Sequence, residues 1–471
     1  MAIPLSKENM LRGMEEMNAF GPRLTGSQGH KAFVEYLKQE VAAIGYDVHS
    51  DTHTFKRWEP KNCSLVLHTK EGDVPVSIAS AFPYSGETKA SGRKGRLSKL
   101  GIGKDIVVVR VKDFSKTPSA VAFSERRAEP ADLHLPKYYK GPVATAFVKS
   151  TVDIILARLA FAKAAVFIWE GMSPAMVEGQ YLNFILPHLG IPTLWVNAEE
   201  GEKVLAARKE GCKATLTLDA NIEKKASADS FYVEVPGKEA SEVVIIHSHT
   251  DGCNAVEENG PVAMLEMLRY YKTHQPERSL LFVFGTGHFR IPAFRHFNGG
   301  SVADQSTSVW LHEHRDLWDG KRGHKYAVAS LGLEHFGCTE WKDVDGIYTQ
   351  TNDIDIEVTY TGNQTMDDIL YQALAEERTR TRTVSLRPHN FLHFGEGQSL
   401  FNVGIPDISL VTAPDYLTAE TEGAEMDKFD LDLMTEQVAA FIRMEQLINE
   451  KSRDELGRAE GYSFGLGKVH K

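Results

Sequence analysis

Cysteine is scarce and scattered: Cys63, Cys212, Cys253 and Cys338 among 471 residues, with no C-x-x-C pair. That argues against a disulfide framework and a zinc ribbon, and for reduced thiols in a cytoplasmic protein. No run approaches the ~18 apolar residues that a membrane span requires. The opening MAIPLSKENMLRGMEEMNAF lacks a basic region followed by an apolar core, so no signal peptide is expected there. Basic runs with interleaved aromatics are also missing, and 64 acidic against 53 basic side chains give a net charge of −11. A nucleic-acid partner is therefore not expected. Internal repeats and low-complexity segments are absent. What remains is an ordinary globular mixture, 42% hydrophobic and 25% charged, long enough for two or three domains.

Apolar positions recur at helical spacing from Lys7 to Phe20, and again through KAFVEYLKQEVAAIG, where Phe33, Leu37, Val41 and Ile44 share a face. Between them GPRLTGSQGH is broken by Gly21, Pro22 and Gly26. YDVHSDTHTF then alternates as a strand does. From residue 62 to 220, short β-type runs (IVVVRV, AAVFIW, TLWVN, ATLTLDA) alternate with turns around one helix, EEGEKVLAARKEG. This stretch reads as a separate small α/β module, with NIEKKASA (221–228) as its exit linker. Residues 1–61 and 221–460 form the main domain, and 461–471 a Gly-rich tail. Buried-looking strands in EVVIIHSHT, SLLFVFGTGH and KYAVASLGLEHFG alternate with helices, and two more helices are expected at 366–380 and 430–456. The pattern predicts an α/β fold with a mostly parallel, doubly wound sheet covered on both faces.

In such sheets ligands bind beyond the carboxyl ends of the strands. The first buried strand ends in His247-Ser248-His249-Thr250-Asp251, and the loop after it carries Glu257-Glu258 before a helix. The second ends in Gly285-Thr286-Gly287-His288, the third in Glu334-His335. Imidazole and carboxylate together are the ligand set of Zn²⁺, Mn²⁺ or Fe²⁺. Any one of these residues alone would merely cap a helix or satisfy a buried backbone group; the set converging on one sheet edge points to a metal site. Asp251, two residues beyond His249, is placed to hold the imidazole in one tautomer.

GPRLTGSQGH followed by an amphipathic helix and GYDV resembles the N-terminal segment of zinc-dependent aminopeptidases related to glutamate carboxypeptidase II. GIPTLWVNAEEGEKVLAARKEG looks like the protease-associated domain inserted in that family. FYVEVPGKEASEVVIIHSHTDG resembles its strand, PG, strand, His-x-Asp run, and GIPDISLV fits near the end. The resemblance spans nearly the whole chain in order, and implies the zinc exopeptidase fold with an inserted protease-associated domain.

The family holds two zinc ions. One is bound by the His of His-x-Asp, a bridging Asp and an Asp at a later strand end; those places here hold His249, Glu257 or Glu258, and Glu334. The family's Glu-Glu pair, general base and ligand of the other zinc, is Gly287-His288 here. Its final Tyr-His-Thr is Tyr416-Leu417-Thr418, and its Ser-Asp-His is Gly395-Glu396-Gly397. The resemblance thus implies one surviving metal, held by His249, Glu257 or Glu258, His288 and Glu334. Zinc is expected first, with manganese or iron as alternatives.

A replacement base is sought among the non-ligating member of Glu257/Glu258, His335, His393 and Glu396. His312 and His314 in LHEHRD are further site candidates, more readily read as exposed loop; His49, His53 and His296 are read as bland. The reading is a metal-dependent hydrolase acting on an amide or peptide-type bond in a small molecule or short peptide. A non-catalytic binding protein and a metal-dependent lyase or isomerase are the alternatives, and a homo-oligomer is left open.

Overall fold

The computed structural model describes residues 3–112, 124–137, 139, 141–294, 306–389, 393–420 and 424–460. His296 and the expected tail 461–471 lie outside them. The N-terminal helices form where expected, over Lys7–Ala19 and Gln28–Ile44. Ser6 and Ser27 cap them by accepting from Asn9 N and His30 N. The second ends at Gly45, whose φ of 95° is the left-handed conformation glycine adopts without steric cost.

At the centre the strands Arg278–Gly285, Glu239–His249, Tyr326–Glu334 and Asp407–Val411 lie side by side, all parallel. Every residue of Arg278–Gly285 is buried, as are the last seven of Glu239–His249, the signature of a strand covered on both faces. One face packs the core of Met14, Phe33, Leu265, Ile369 and Phe441; the other packs Trp310, Leu311 and Leu400. Antiparallel strands close the edges, Lys213–Val235 on one side and Glu357–Thr361 towards the other. The sheet is thus mixed α/β, parallel where the candidate residues sit.

The stretch 62–220 builds two cores of its own, one around Phe82, Phe167 and Trp195, the other around Leu97, Val166 and Leu216. Its boundaries differ from the sequence reading. NIEKKASA is no linker: it lies inside one strand, Lys213–Val235, that pairs with His49–Thr69 across the boundary at 62. A polar segment stays extended here because the partner strand satisfies its backbone, which composition does not reveal. Residues Glu125–Glu129 also leave the module and pair with Thr383–Leu386 at the far edge of the main sheet. The last long helix is broken as well, into Leu431–Asn449 and Arg453–Leu456, where Ser452 and Glu455 form a capping box. No helix among the described residues is long and apolar enough to cross a membrane, and all four cysteines are free thiols.

Candidate metal centre

Two neighbouring central strands and the loop before the helix Gly260–Tyr271 deliver residues to one point. His249 ends its strand, Glu334 ends the neighbouring one, and His335 follows directly after it. Strand alternation would send residues 334 and 335 to opposite faces. His335 instead takes a left-handed backbone conformation, φ 60°, which turns its ring back to the side of Glu334. The helix Gly260–Tyr271 starts beneath the cluster: a Cβ at Gly260 would collide with Leu333 O and Ser248 Oγ. Only glycine lets the chain turn there and bring Glu258 inward.

Four atoms meet: His249 Nε2, Glu258 Oε2, Glu334 Oε2 and His335 Nε2. Each comes from a residue no more than 3% exposed, and they are grouped within 4.8 Å of one another. His249 Nε2 lies 2.9 Å from Glu258 Oε2 and 3.7 Å from Glu334 Oε2; His335 Nε2 lies 3.5 and 4.0 Å from the same two oxygens. None of the four has a hydrogen-bond partner. Elsewhere these side chains are well held. His249 Nδ1–H donates to Asp251 O (2.7 Å) and His335 Nδ1–H to Thr412 O (2.6 Å). A carbonyl only accepts, so Nδ1 carries a proton in both rings, and in the neutral form each Nε2 offers a lone pair. Glu258 Oε1 accepts from Gly260 N (2.7 Å), and Glu334 Oε1 from Glu396 N (2.7 Å). Two imidazoles and two carboxylates, buried and facing one another, form a group that can hold a divalent cation in place of the proton the His249–Glu258 pair would otherwise share.

The electrostatics agree. Asp251, Glu257, Glu258, Glu334 and Glu396 are five carboxylates at most 1% exposed. Burial alone would hold His249 neutral, yet Glu258, Asp251 and Glu334 push its pKa well above the ordinary imidazole value; the site calls for positive charge. Burial, reinforced by Glu258, raises Glu257 well above the usual carboxylate range, opposed by His249. Glu257 Oε2 accepts from Cys253 N (3.2 Å), and its Oε1 is 4.0 Å from His335 Nε2. Glu258 thus stands in the four-atom group, and Glu257 beside it, in the overlapping group with His249 and His288.

Other expected residues fall differently. His288, expected among the ligands, stacks on His249 with ring centroids 3.9 Å apart and planes 8° from parallel. Lone pairs lie in the ring plane, so two stacked imidazoles cannot aim at one ion ~2 Å from both. His288 joins only a second grouping with His249 and Glu257. His335, expected as a base, stands instead in the four-atom group. Asp251 holds His249 through its carbonyl; its carboxylate is 3.6 Å from Nδ1 and accepts from Phe289 N (3.1 Å), Gly287 N (3.3 Å) and the Thr25 hydroxyl.

Glu396, expected as a base, is saturated. It accepts from Ser306 N (3.2 Å) and Oγ (2.8 Å), Thr307 N (2.8 Å) and Oγ1 (2.5 Å), and His288 Nδ1 (3.2 Å). Against the effect of burial these donors hold its pKa down at about 2, too low for a base near neutrality. His393 is engaged on both nitrogens, with Phe394 O (2.9 Å) and Asp407 Oδ2 (3.1 Å), and stacks on Tyr360. His314 pairs with Asp51 (2.7 Å) in a half-exposed group with Glu313. His312 is exposed on the helix Thr307–Glu313, and His49 stacks on Tyr232; His53 lies on the His49–Thr69 strand.

The GPRLTGSQGH segment proves to brace the site. Buried Arg23 donates to Asn254 O (2.6 Å) and Glu257 O (3.0 Å), fixing the loop that carries the Glu pair. His30, kept neutral by burial with its pKa lowered to about 4, accepts from Gly26 N and donates to Thr250 Oγ1 (2.8 Å). Leu417, at the family's final histidine, packs with Val256, Cys338 and Tyr416.

The chain shares the fold of zinc aminopeptidases. It matches the aminopeptidase from Aneurinibacillus sp. strain AM-1 at 16% identity and TM-score 0.58, over 94% of this chain and 93% of that one. A zinc aminopeptidase from Bacillus subtilis matches at 13% identity and TM-score 0.63, covering 94% and 95%. A peptidase M28 precursor from Shewanella amazonensis SB2B matches at 15% and 0.64, covering 94% and 93%. No family model and no curated protein sequence matches the chain.

Proposed function

We propose that the protein is a metal-dependent hydrolase with one divalent metal, zinc first, cleaving an amide or peptide-type bond in a small molecule or short peptide. The observation carrying this reading is the convergence of four buried, unpartnered ligand atoms, from His249, Glu258, Glu334 and His335, at the carboxyl edge of the sheet. Zinc bound there supplies a Lewis acid that polarises a carbonyl and brings the pKa of its water to ~7. The zinc aminopeptidase fold of the matched structures supports the reaction class.

The chain's residues divide the remaining work. Glu257 is the proton acceptor and later donor: it is buried beside the ligands without entering the four-atom group, and burial raises its pKa above that of an ordinary carboxylate, which makes it the stronger base. It replaces the carboxylate lost at Gly287. Glu396 orients His288, the most accessible residue of the cluster at 8% exposure, so that its other nitrogen meets the substrate. Phe184 of the 62–220 module stands against His288 (5.4 Å) and Phe289 (4.9 Å). In this reading the module is a protease-associated domain that borders the pocket and favours an apolar substrate group.

Glu257→Gln tests the assignment. It should keep about one equivalent of metal per chain and lower kcat roughly 10²–10⁴-fold on aminoacyl-amide substrates, with the acidic limb of the pH profile lost. A variant that loses its metal would make Glu257 a ligand; one with unchanged kcat would remove it from the chemistry.

A further inference from the structure

The helix Gly141–Leu159 is apolar on two sides. Its inner side, with Ala146, Ile154 and Ala157, is buried in the module's core. Its outer side exposes Val148 (63%), Val152 (49%), Ile155 (41%) and Leu159 (68%), with Leu156 beside them. The only exposed charge from Ala146 onward is Arg158; Lys149 is turned onto Asp153 of the same helix. Phe161 and Ile102 extend the patch past the helix end, where Gly103 N bonds Ala160 O (2.7 Å). A helix that is hydrophobic all round is normally covered on all sides.

We infer that this face is a two-fold interface between copies of the chain, in which the helix Gly141–Leu159 packs antiparallel against itself. The spacing selects a helix as the occupant. Positions 148, 152, 155 and 159 step by four, three and four, the seam of two helices packed at a shallow angle. It also selects this helix. A 4-3-4 spacing reads the same in both directions, so an antiparallel copy meets it in register, Val152 facing Ile155 and Val148 facing Leu159. A two-fold interface requires that self-complementarity.

The size fits as well. The seven exposed side chains lie along about 20 Å of helix and the adjoining loop. Single exposed apolar residues are ordinary on a monomer, whereas seven on one helix and the loop beside it mark an interaction surface. The inference is independent of the metal centre, since none of its residues touches that cluster.

Sedimentation velocity of the full chain, from micromolar to sub-millimolar concentration, should show a dimer. Val152→Asp should raise the dissociation constant by roughly a hundredfold or more, with circular dichroism and metal content unchanged. As a second arm, the Val152→Cys/Ile155→Cys double variant should cross-link between copies on mild oxidation, with the wild-type chain as control for its own four thiols. A chain monomeric throughout that range, or a dimer indifferent to Val152→Asp, overturns the interface; the face would then belong to another occupant, such as residues 113–123. A dimer sensitive to Val152→Asp that does not cross-link overturns the antiparallel register.

Discussion

Among the described residues, histidine and carboxylates come within 4.8 Å of one another both at the sheet edge, in His249, Glu258, Glu334 and His335 with an overlapping group of His249, Glu257 and His288, and on the surface, in Asp51, Glu313 and His314. The two places share residue types and spacing, and differ in physics. His314 spends its Nε2 on Asp51 at 2.7 Å, and its neighbours are half-exposed or exposed. Water and that ion pair satisfy the group, and a metal would have to displace both. The sheet-edge atoms are shut away from water and face only one another, so gathering two buried carboxylates there is costly until a positive charge offsets them. A cluster of ligand types is common; a cluster buried away from water with an excess of carboxylates is what selects a cation.

The largest test of that contrast removes one member from each group. His249→Ala or Glu334→Ala should lower bound metal from about one equivalent per chain to under roughly a tenth, and activity about 10³-fold, by elemental analysis and amide hydrolysis. Asp51→Asn/His314→Ala should leave both as they were. Chelation of the wild-type chain should cost ~3–4 kcal/mol of stability, read as a lower Tm, and should not affect the His249→Ala protein. Equal metal content in the two sets of variants would erase the distinction.

A finer test lies within the buried set. His335→Ala should weaken metal affinity about 10–100-fold, whereas His288→Ala should retain the metal and raise KM. The reverse order would restore the ligand set that the sequence alone suggested. The smallest effect belongs to the surface group. Asp51 raises the His314 pKa above its ordinary value, against the opposing effect of partial burial. The pair's stabilisation is therefore complete below about pH 6.5 and fades as pH rises through the folded-state value. At this exposure it is under about 1 kcal/mol, so Tm of wild type and His314→Ala should converge between pH 6 and 9.

Much of this was legible because it follows from periodicity. The runs EVVIIHSH, SLLFVFG and YAVASLGLE could only be strands buried on both faces, and the residues ending them had to meet at one edge. The linker was misread because an exposed strand in a paired ribbon carries no apolar alternation to announce it. Which of Glu257 and Glu258 turns inward was undecidable from spacing, since adjacent residues in a loop obey no period.

The sequence by itself determined that buried strands would form a parallel centre to the sheet, and the identity of the groups at its edge, since burial patterns and residue chemistry are local properties. Only the tertiary structure decided which lone pairs meet. The left-handed turn at His335 put a ring in the ligand group that strand alternation would send away, and stacking on His249 took His288 out of it. Both outcomes rest on backbone dihedrals and ring planes fixed by contacts with residues distant in the sequence, Thr412 for His335 and Glu396 for His288, and no local pattern encodes those.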